Sequence, residues 1–334
     1  MKILLKVLKW IGLIIGSILM LIIFAGLIFR LFDTKPPAPG ELVEVGDFKL
    51  HIHAEGAKSN KPTLVLEGGL GVPSDHYHWL SEGLKDSMRV VRYDRAGIVY
   101  SEASQTPRDA ETVVRELHSL LEKAGESPPY ILAGHSMGGL FIRVFAQLYP
   151  DEVAGLVFLD SSHPDFRERL NLPPPPSTEG LLTTLAVVAD LGVLTLFDHL
   201  FGPLLAAEGL PQDVNDRALG YTYNGKYLRA VLREDQVSAS VFERAKSAKD
   251  FGTMPIQVFV AHERQVQAYH RYGIDPDWAT AETMKMQQEL ADLSTAGKLL
   301  TINGNHNSIY TKKENAAIIC QEILHLLEEV QSRP

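Results

Sequence analysis

The sequence predicts an α/β domain on a mostly parallel, twisted sheet with helices on both faces, and three observations predict it. Short apolar runs of strand type recur at residues 63–66, 89–93, 130–133, 156–159 and 256–261. A stretch of clear helical period lies among them at residues 109–124, where Val113, Val114, Leu117, Leu120 and Leu121 are spaced three and four apart. The runs end in polar or glycine-rich loops such as Glu67-Gly68-Gly69-Leu70-Gly71 and Asp94-Arg95-Ala96-Gly97. Alternation of this kind gives a parallel sheet whose functional loops gather beyond the carboxyl ends of its strands.

Composition sets the outer bounds. A chain of 334 residues with 45% hydrophobic and 22% charged side chains can bury a core of ordinary size. One cysteine, Cys320, excludes an intramolecular disulfide framework, and its apolar helical surroundings make it a core residue. The net charge of −9, with no stripe of basic residues, argues against a nucleic-acid partner.

Residues 1–32 depart from this average. Residues 11–29 form an uncharged, mostly apolar run that, at about 1.5 Å per residue, nearly matches a hydrocarbon core of about 30 Å. A cleaved signal would carry a shorter apolar region and a small-residue cleavage site, so a retained single-pass membrane anchor is expected. Lys2, Lys6 and Lys9 before the span, against Arg30 and Lys35 after it, favour an inside N-terminus and an extracytoplasmic domain. Residues 33–41, with Pro36, Pro37 and Pro39, read as a stiff linker. Removing the five basic and one acidic side chains of residues 1–35 from totals of 32 and 41 leaves 27 against 40, so the remaining domain is acidic.

Beyond the linker, alternating Leu42, Val43 and Val45, then Phe48, Leu50 and Ile52, read as a hairpin around Gly46-Asp47. The strand of residues 130–133 leads directly into Gly134-His135-Ser136-Met137-Gly138, a G-x-S-x-G pattern, and a helix over residues 140–148 follows. Glycines are needed on both sides of so sharp a turn because neighbouring Cβ atoms would strike the strand and helix. The turn lifts the Ser136 hydroxyl above the sheet, and the Met137 amide at the helix start faces a developing oxyanion.

The runs TLVLEGGLG, VVRYDRAG and YILAGHSMGG, with a late Gly304-Asn305-His306, resemble in order and spacing the α/β-hydrolase fold superfamily over most of residues 42–330, and its membrane-anchored or secreted esterase and lipase-like members in particular. The resemblance implies that Gly69, or else Leu70, donates a second oxyanion amide. Glu67 stands where the family often has His, and Ile98-Val99-Tyr100-Ser101 replaces the usual G-x-S ending of the fourth-strand turn.

A serine needs a base within hydrogen-bond reach. His306 follows a strand at residues 298–302 and precedes a helical stretch at 315–330, which puts it in a loop above the sheet. His51, His53 and His325 read as structural, and His135 flanks the serine but points away from the position of a base. The acid must follow the serine in this fold. Asp160, ending the strand at 156–159, is the first choice. Glu263 is the alternative, one residue from the usual acid position, which aligns with Arg264, and Asp275 is a third candidate.

Residues 164–252 read as a helical cap inserted in a core of residues 42–163 and 253–334. After Pro173–Pro176, residues 181–205 are strongly apolar and broken by Gly192 and Gly202-Pro203, giving two helices; residues 218–251 are helical in part. An apolar cap implies a pocket for an acyl chain or another apolar group. Asp190, Asp198 and His199 argue against a second membrane span. The expected activity is cleavage of a small-molecule, lipid-like ester through an acyl-enzyme, with no cofactor or metal; an aminopeptidase or amidase with the same triad, or a binding member of the fold without turnover, are the alternatives.

Overall fold

The computed structural model describes residues 1–203, 205–263, 269–270 and 272–333. Helix α1 (Lys2–Phe32) precedes an eight-stranded sheet. Its strands are β1 (Glu41–Glu44), β2 (Lys49–Glu55), β3 (Thr63–Glu67), β4 (Val90–Asp94), β5 (Tyr130–His135), β6 (Val153–Leu159), β7 (Ile256–Ala261) and β8 (Gly297–Ile302), in spatial order β1-β2-β4-β3-β5-β6-β7-β8. Only the β1–β2 and β2–β4 pairs are antiparallel. Glu67 pairs with Gly134, His135 with Leu159, and Leu159 with Phe259, so the carboxyl ends of β3, β5, β6 and β7 line up at one edge of the sheet.

Why the central strands read as continuous apolar runs is evident from their two faces. Val65, Leu132, Phe158 and Val258 pack under α3 (Ala110–Lys123) and α4 (Gly138–Leu148). Their neighbours Leu64, Leu66, Ile131, Ala133, Val157 and Phe259 pack on α2 (His78–Leu84) and on a long helix near the C-terminus. Burial on both faces leaves no polar alternation to see. Asp109 caps α3, its carboxylate accepting the Thr112 amide at 3.1 Å.

After β6 come a short α5 (Phe166–Arg169), then α6 (Glu179–Asp190), α7 (Val193–Phe201), α8 (Gln212–Thr222) and α9 (Gly225–Ala245). Apolar residues of α6 and α9 pack together through Leu182, Leu185, Ala186, Ala189 and Leu228. The break between α8 and α9 falls at Asn224, whose side chain accepts the Tyr227 amide at 3.0 Å as an N-cap. Following β7, α10 (Pro276–Ala291) flanks the sheet, and beyond β8 the chain ends in α11 (Ser308–Thr311) and α12 (Lys313–Gln331). Buried residues of α10 recur at 279, 283, 286, 287, 290 and 291, a helical period. Two of them, Thr283 and Gln287, are polar, which hides that helix from a hydrophobic pattern.

Candidate active site

The Gly134–Gly138 turn joins β5 to α4 with Ser136 at φ 53°. That is left-handed backbone space a serine seldom occupies, held here because its surroundings leave no alternative. A Cβ on Gly134 would lie 2.6 Å from the Gly138 carbonyl carbon, one on Gly138 only 2.4 Å from the Glu67 oxygen, and one on Gly139 only 2.4 Å from Ser161 Cβ. The glycines are therefore contacts between turn, neighbouring loop and β6, and not merely flexible links. Met137 stands at the head of α4, where a helix's first amides have no partner within the helix.

Asp160, at the end of β6, also has positive φ, 42°, and is buried. One carboxylate oxygen accepts the Ala261 amide at 3.0 Å, and the other lies 2.7 Å from His306 Nδ1. A carboxylate only accepts, so His306 carries a proton on Nδ1 and its Nε2 is left as the basic nitrogen. Ser136, Asp160 and His306 all line one cavity of about 280 Å³ at the carboxyl edge of the sheet. Glu263 is on its wall too, with an exposed side chain. Asp275 instead caps α10, accepting the Trp278 amide at 2.8 Å. Arg264 lies outside the described residues.

His135 does more than flank the serine. Its Nε2 lies 3.0 Å from the His306 carbonyl oxygen, and the two rings are 4.4 Å apart. A carbonyl accepts, so His135 donates from Nε2; its complete burial pushes its pKa well down, with the neighbouring His306 as a lesser cause, and keeps it neutral. It holds the backbone of the His306 loop. His51, by contrast, is buried against Asp94 at 2.9 Å in the β2–β4 pair.

The Gly68-Gly69 loop is held by a residue the motifs did not single out. Arg95 donates from Nη1 to Glu67 Oε1 at 2.5 Å and to the Gly68 carbonyl at 2.7 Å, and from Nη2 to the Gly69 carbonyl at 2.6 Å. In a trans peptide the N–H points opposite to the C=O, so capture of these two carbonyls turns the Gly69 and Leu70 amides away from Arg95. Gly69 itself sits beside the serine: a Cβ there would lie 3.1 Å from Ser136 Cβ and 2.9 Å from His135 Nδ1. Glu67 thus takes up the family's histidine position as an ion-pair partner, further bound by the Tyr93 hydroxyl. The signal was present in Asp94-Arg95-Ala96-Gly97, but only as a turn. The altered end of that turn leaves Val99 at φ 33°.

The pocket differs from expectation in its walls. Its apolar side comes from Phe166 and Leu172, at the start of the inserted segment, and from Tyr269 and Tyr272 before α10, with Thr283 and Gln287 of α10 completing it. None of its lining residues belongs to α6, α7, α8 or α9. The apolar side chains of α6 to α9 go instead into packing and an exposed face.

Comparison with known proteins agrees with this architecture. A family model described as alpha/beta hydrolase fold matches residues 62–216. The chain has the alpha/beta hydrolase fold. The uncharacterized protein YbdG of Bacillus subtilis (strain 168) is 32% identical over 171 residues, 49% of this chain and 52% of YbdG, so the match spans about half of that relative's length. Among solved structures, Cfl2 from Burkholderia cenocepacia superposes with a TM-score of 0.64 at 20% identity, covering 88% of this chain and 100% of Cfl2. A thermophilic esterase from Thermogutta terrifontis superposes at 0.59 and 18% identity, covering 88% and 99%. At such identities the likeness is one of fold.

Proposed function

We propose that this chain is a membrane-anchored serine hydrolase cleaving carboxylic esters with an apolar acyl or alcohol group. The observation that carries the reading is the joint presence in one cavity of Ser136, on a strained turn, and a hydrogen-bonded His306–Asp160 pair. In this mechanism His306 Nε2 takes the Ser136 proton as Oγ attacks the carbonyl carbon. Negative charge moves to the carbonyl oxygen, held by the amides of Met137 and Gly69. His306 returns the proton to the departing alcohol, leaving an acyl-enzyme, and then activates the water that releases the acid. Asp160 keeps the imidazole in the required tautomer and stabilises its cation. Phe166, Leu172, Tyr269 and Tyr272 supply the apolar surface for the substrate. Residues 11–29 of α1 cross the bilayer with the N-terminus inside.

The test is labelling by a fluorophosphonate and turnover of p-nitrophenyl esters of rising chain length, by the full chain in detergent beside Ser136→Ala. Labelling and turnover that vanish in the variant support the reading; a folded wild-type protein that neither labels nor turns over overturns it.

A further inference from the structure

Beyond residues 1–32, eleven large hydrophobic side chains are strongly exposed among the described residues, and six of them fall in one short stretch of the insert. They are Leu181 and Val187 of α6, Phe197, Leu200 and Phe201 of α7, and Leu205 just beyond. So dense an exposed apolar patch marks a contact surface.

Its occupant is indicated by what lies alongside. The membrane-side helix α1 meets the α6–α7 corner and α7 through residues that include Gly26, Phe29 and Arg30. Gly26 and Gly192 touch backbone to backbone: a Cβ on Gly26 would stand 2.6 Å from the Leu191 oxygen, one on Gly192 2.1 Å from the Gly26 oxygen. The Phe29 ring lies 4.9 Å from that of His199 near the other end of α7, and Arg30 pairs with Asp190 at 3.6 Å. The start of α7 and His199 near its other end thus both lie beside the last part of α1. If residues 11–29 fill the hydrocarbon layer, Gly26 lies about 4–5 Å inside its end. That is the depth at which an interfacial helix rests. Neither α6 nor α7, at about 18 and 14 Å, is long enough to cross the bilayer alone, and the 80° bend between them does not make one straight span.

We infer that the outer face of α6 and α7 is a docking surface for the lipid bilayer, inserted at the level where α1 leaves it. The inference rests on the anchor reading of α1. It gives the domain a second hold and a fixed orientation on the membrane, with α9, which packs on α6, between bilayer and core.

Full-length protein in nanodiscs, labelled with an environment-sensitive NBD dye at single introduced cysteines, tests it against lipids carrying a spin-label quencher. The native thiol does not interfere, because burial hides Cys320 and pushes its pKa up to about 12. The positions are Phe197→Cys and Phe201→Cys on the face, Met20→Cys in α1 and Arg115→Cys, an exposed site on α3, as the aqueous control. Blue-shifted emission and lipid quenching at 197 and 201, comparable with residue 20 and absent at 115, is the expected result. Quenching at 20 with 197 and 201 no different from 115 overturns the docking surface while leaving the anchor. A blue shift at 197 and 201 without lipid quenching assigns the face to a protein contact and also overturns it. Loss of quenching at 20 removes the anchor and the inference together.

Discussion

Glu234 of α9 and Arg95 beyond β4 are joined by two hydrogen bonds, Nε to Oε1 at 2.7 Å and Nη2 to Oε2 at 2.8 Å, with both side chains buried. The same carboxylate accepts the Gly71 amide at 3.0 Å, and Tyr227 of α9 donates to the Gly71 carbonyl at 2.8 Å. One helix of the insert thus clamps both the loop beside Ser136 and the arginine that orients that loop. Glu234→Gln retains the shape and removes the charge. It is expected to lower kcat about 10- to 100-fold, short of the full loss of an oxyanion donor, with KM little changed. Breaking the buried pair with Glu234→Ala should also cost about 3–5 kcal/mol of stability. A kcat that stays at the wild-type value in folded Glu234→Gln would reduce the clamp to a packing feature.

The two carboxylates on the cavity wall are separable by mutation. Asp160→Asn would leave His306 without an anionic partner and in the wrong tautomer, and kcat should fall by about 10²–10⁴. Glu263→Gln should retain activity within about threefold, since neutralising a side chain outside the proton-transfer chain removes no transition-state interaction. Steady-state kinetics on one ester decides between them, and the reverse pattern would transfer the role to Glu263.

His163, three residues past Asp160, gives a pH signature. Burial, reinforced by the Arg143 guanidinium, pushes its imidazole down to about 4 from the ordinary 6.5. Between these values the unfolded chain binds a proton that the native state does not. Its contribution is therefore intact above pH 6.5, falls as pH falls by at most about 1.4 kcal/mol per unit, and is lost in full below about pH 4. Urea unfolding at pH 7, 6 and 5 should show a flatter decline in His163→Asn than in wild type; parallel declines would remove His163 as a cause.

Glycine substitutions should divide sharply by contact. A methyl on Gly138 meets the backbone oxygens of Glu67 and Gly68 at 2.4 and 2.7 Å, atoms no rotamer change can move. Gly138→Ala is expected to push the Gly68-Gly69 loop away from Ser136, costing about 1–3 kcal/mol and most of the activity. Gly180 in α6 has open space around its Cβ, so Gly180→Ala should be neutral or stabilise by up to about 1 kcal/mol. Thermal unfolding and ester turnover of the pair check both statements.

Much of this molecule was legible because its signals are local. Two-face burial makes β3, β5 and β6 largely apolar runs, the Val113–Leu121 spacing marks α3, and Gly192 divides α6 from α7. Where side chains break the local rule, legibility ended. Helix α10 carries Thr283 and Gln287 on its buried side because that side also forms the cavity wall. The Asn224-Gly225 step between α8 and α9 looks like any polar pair until its cap is seen.

Local patterning along the chain carries the α/β order, the glycine-framed turn that presents Ser136, the late loop with His306 and the apolar helix at the N-terminus, since each depends on neighbours a few residues apart. Tertiary structure decided which carboxylate meets His306, which residues wall the cavity, and that Arg95 and Glu234, 139 positions apart, clamp the loop beside the serine. Those relationships depend on which loops the sheet order brings to one edge and on the directions of buried hydrogen bonds, and no spacing along the chain encodes either.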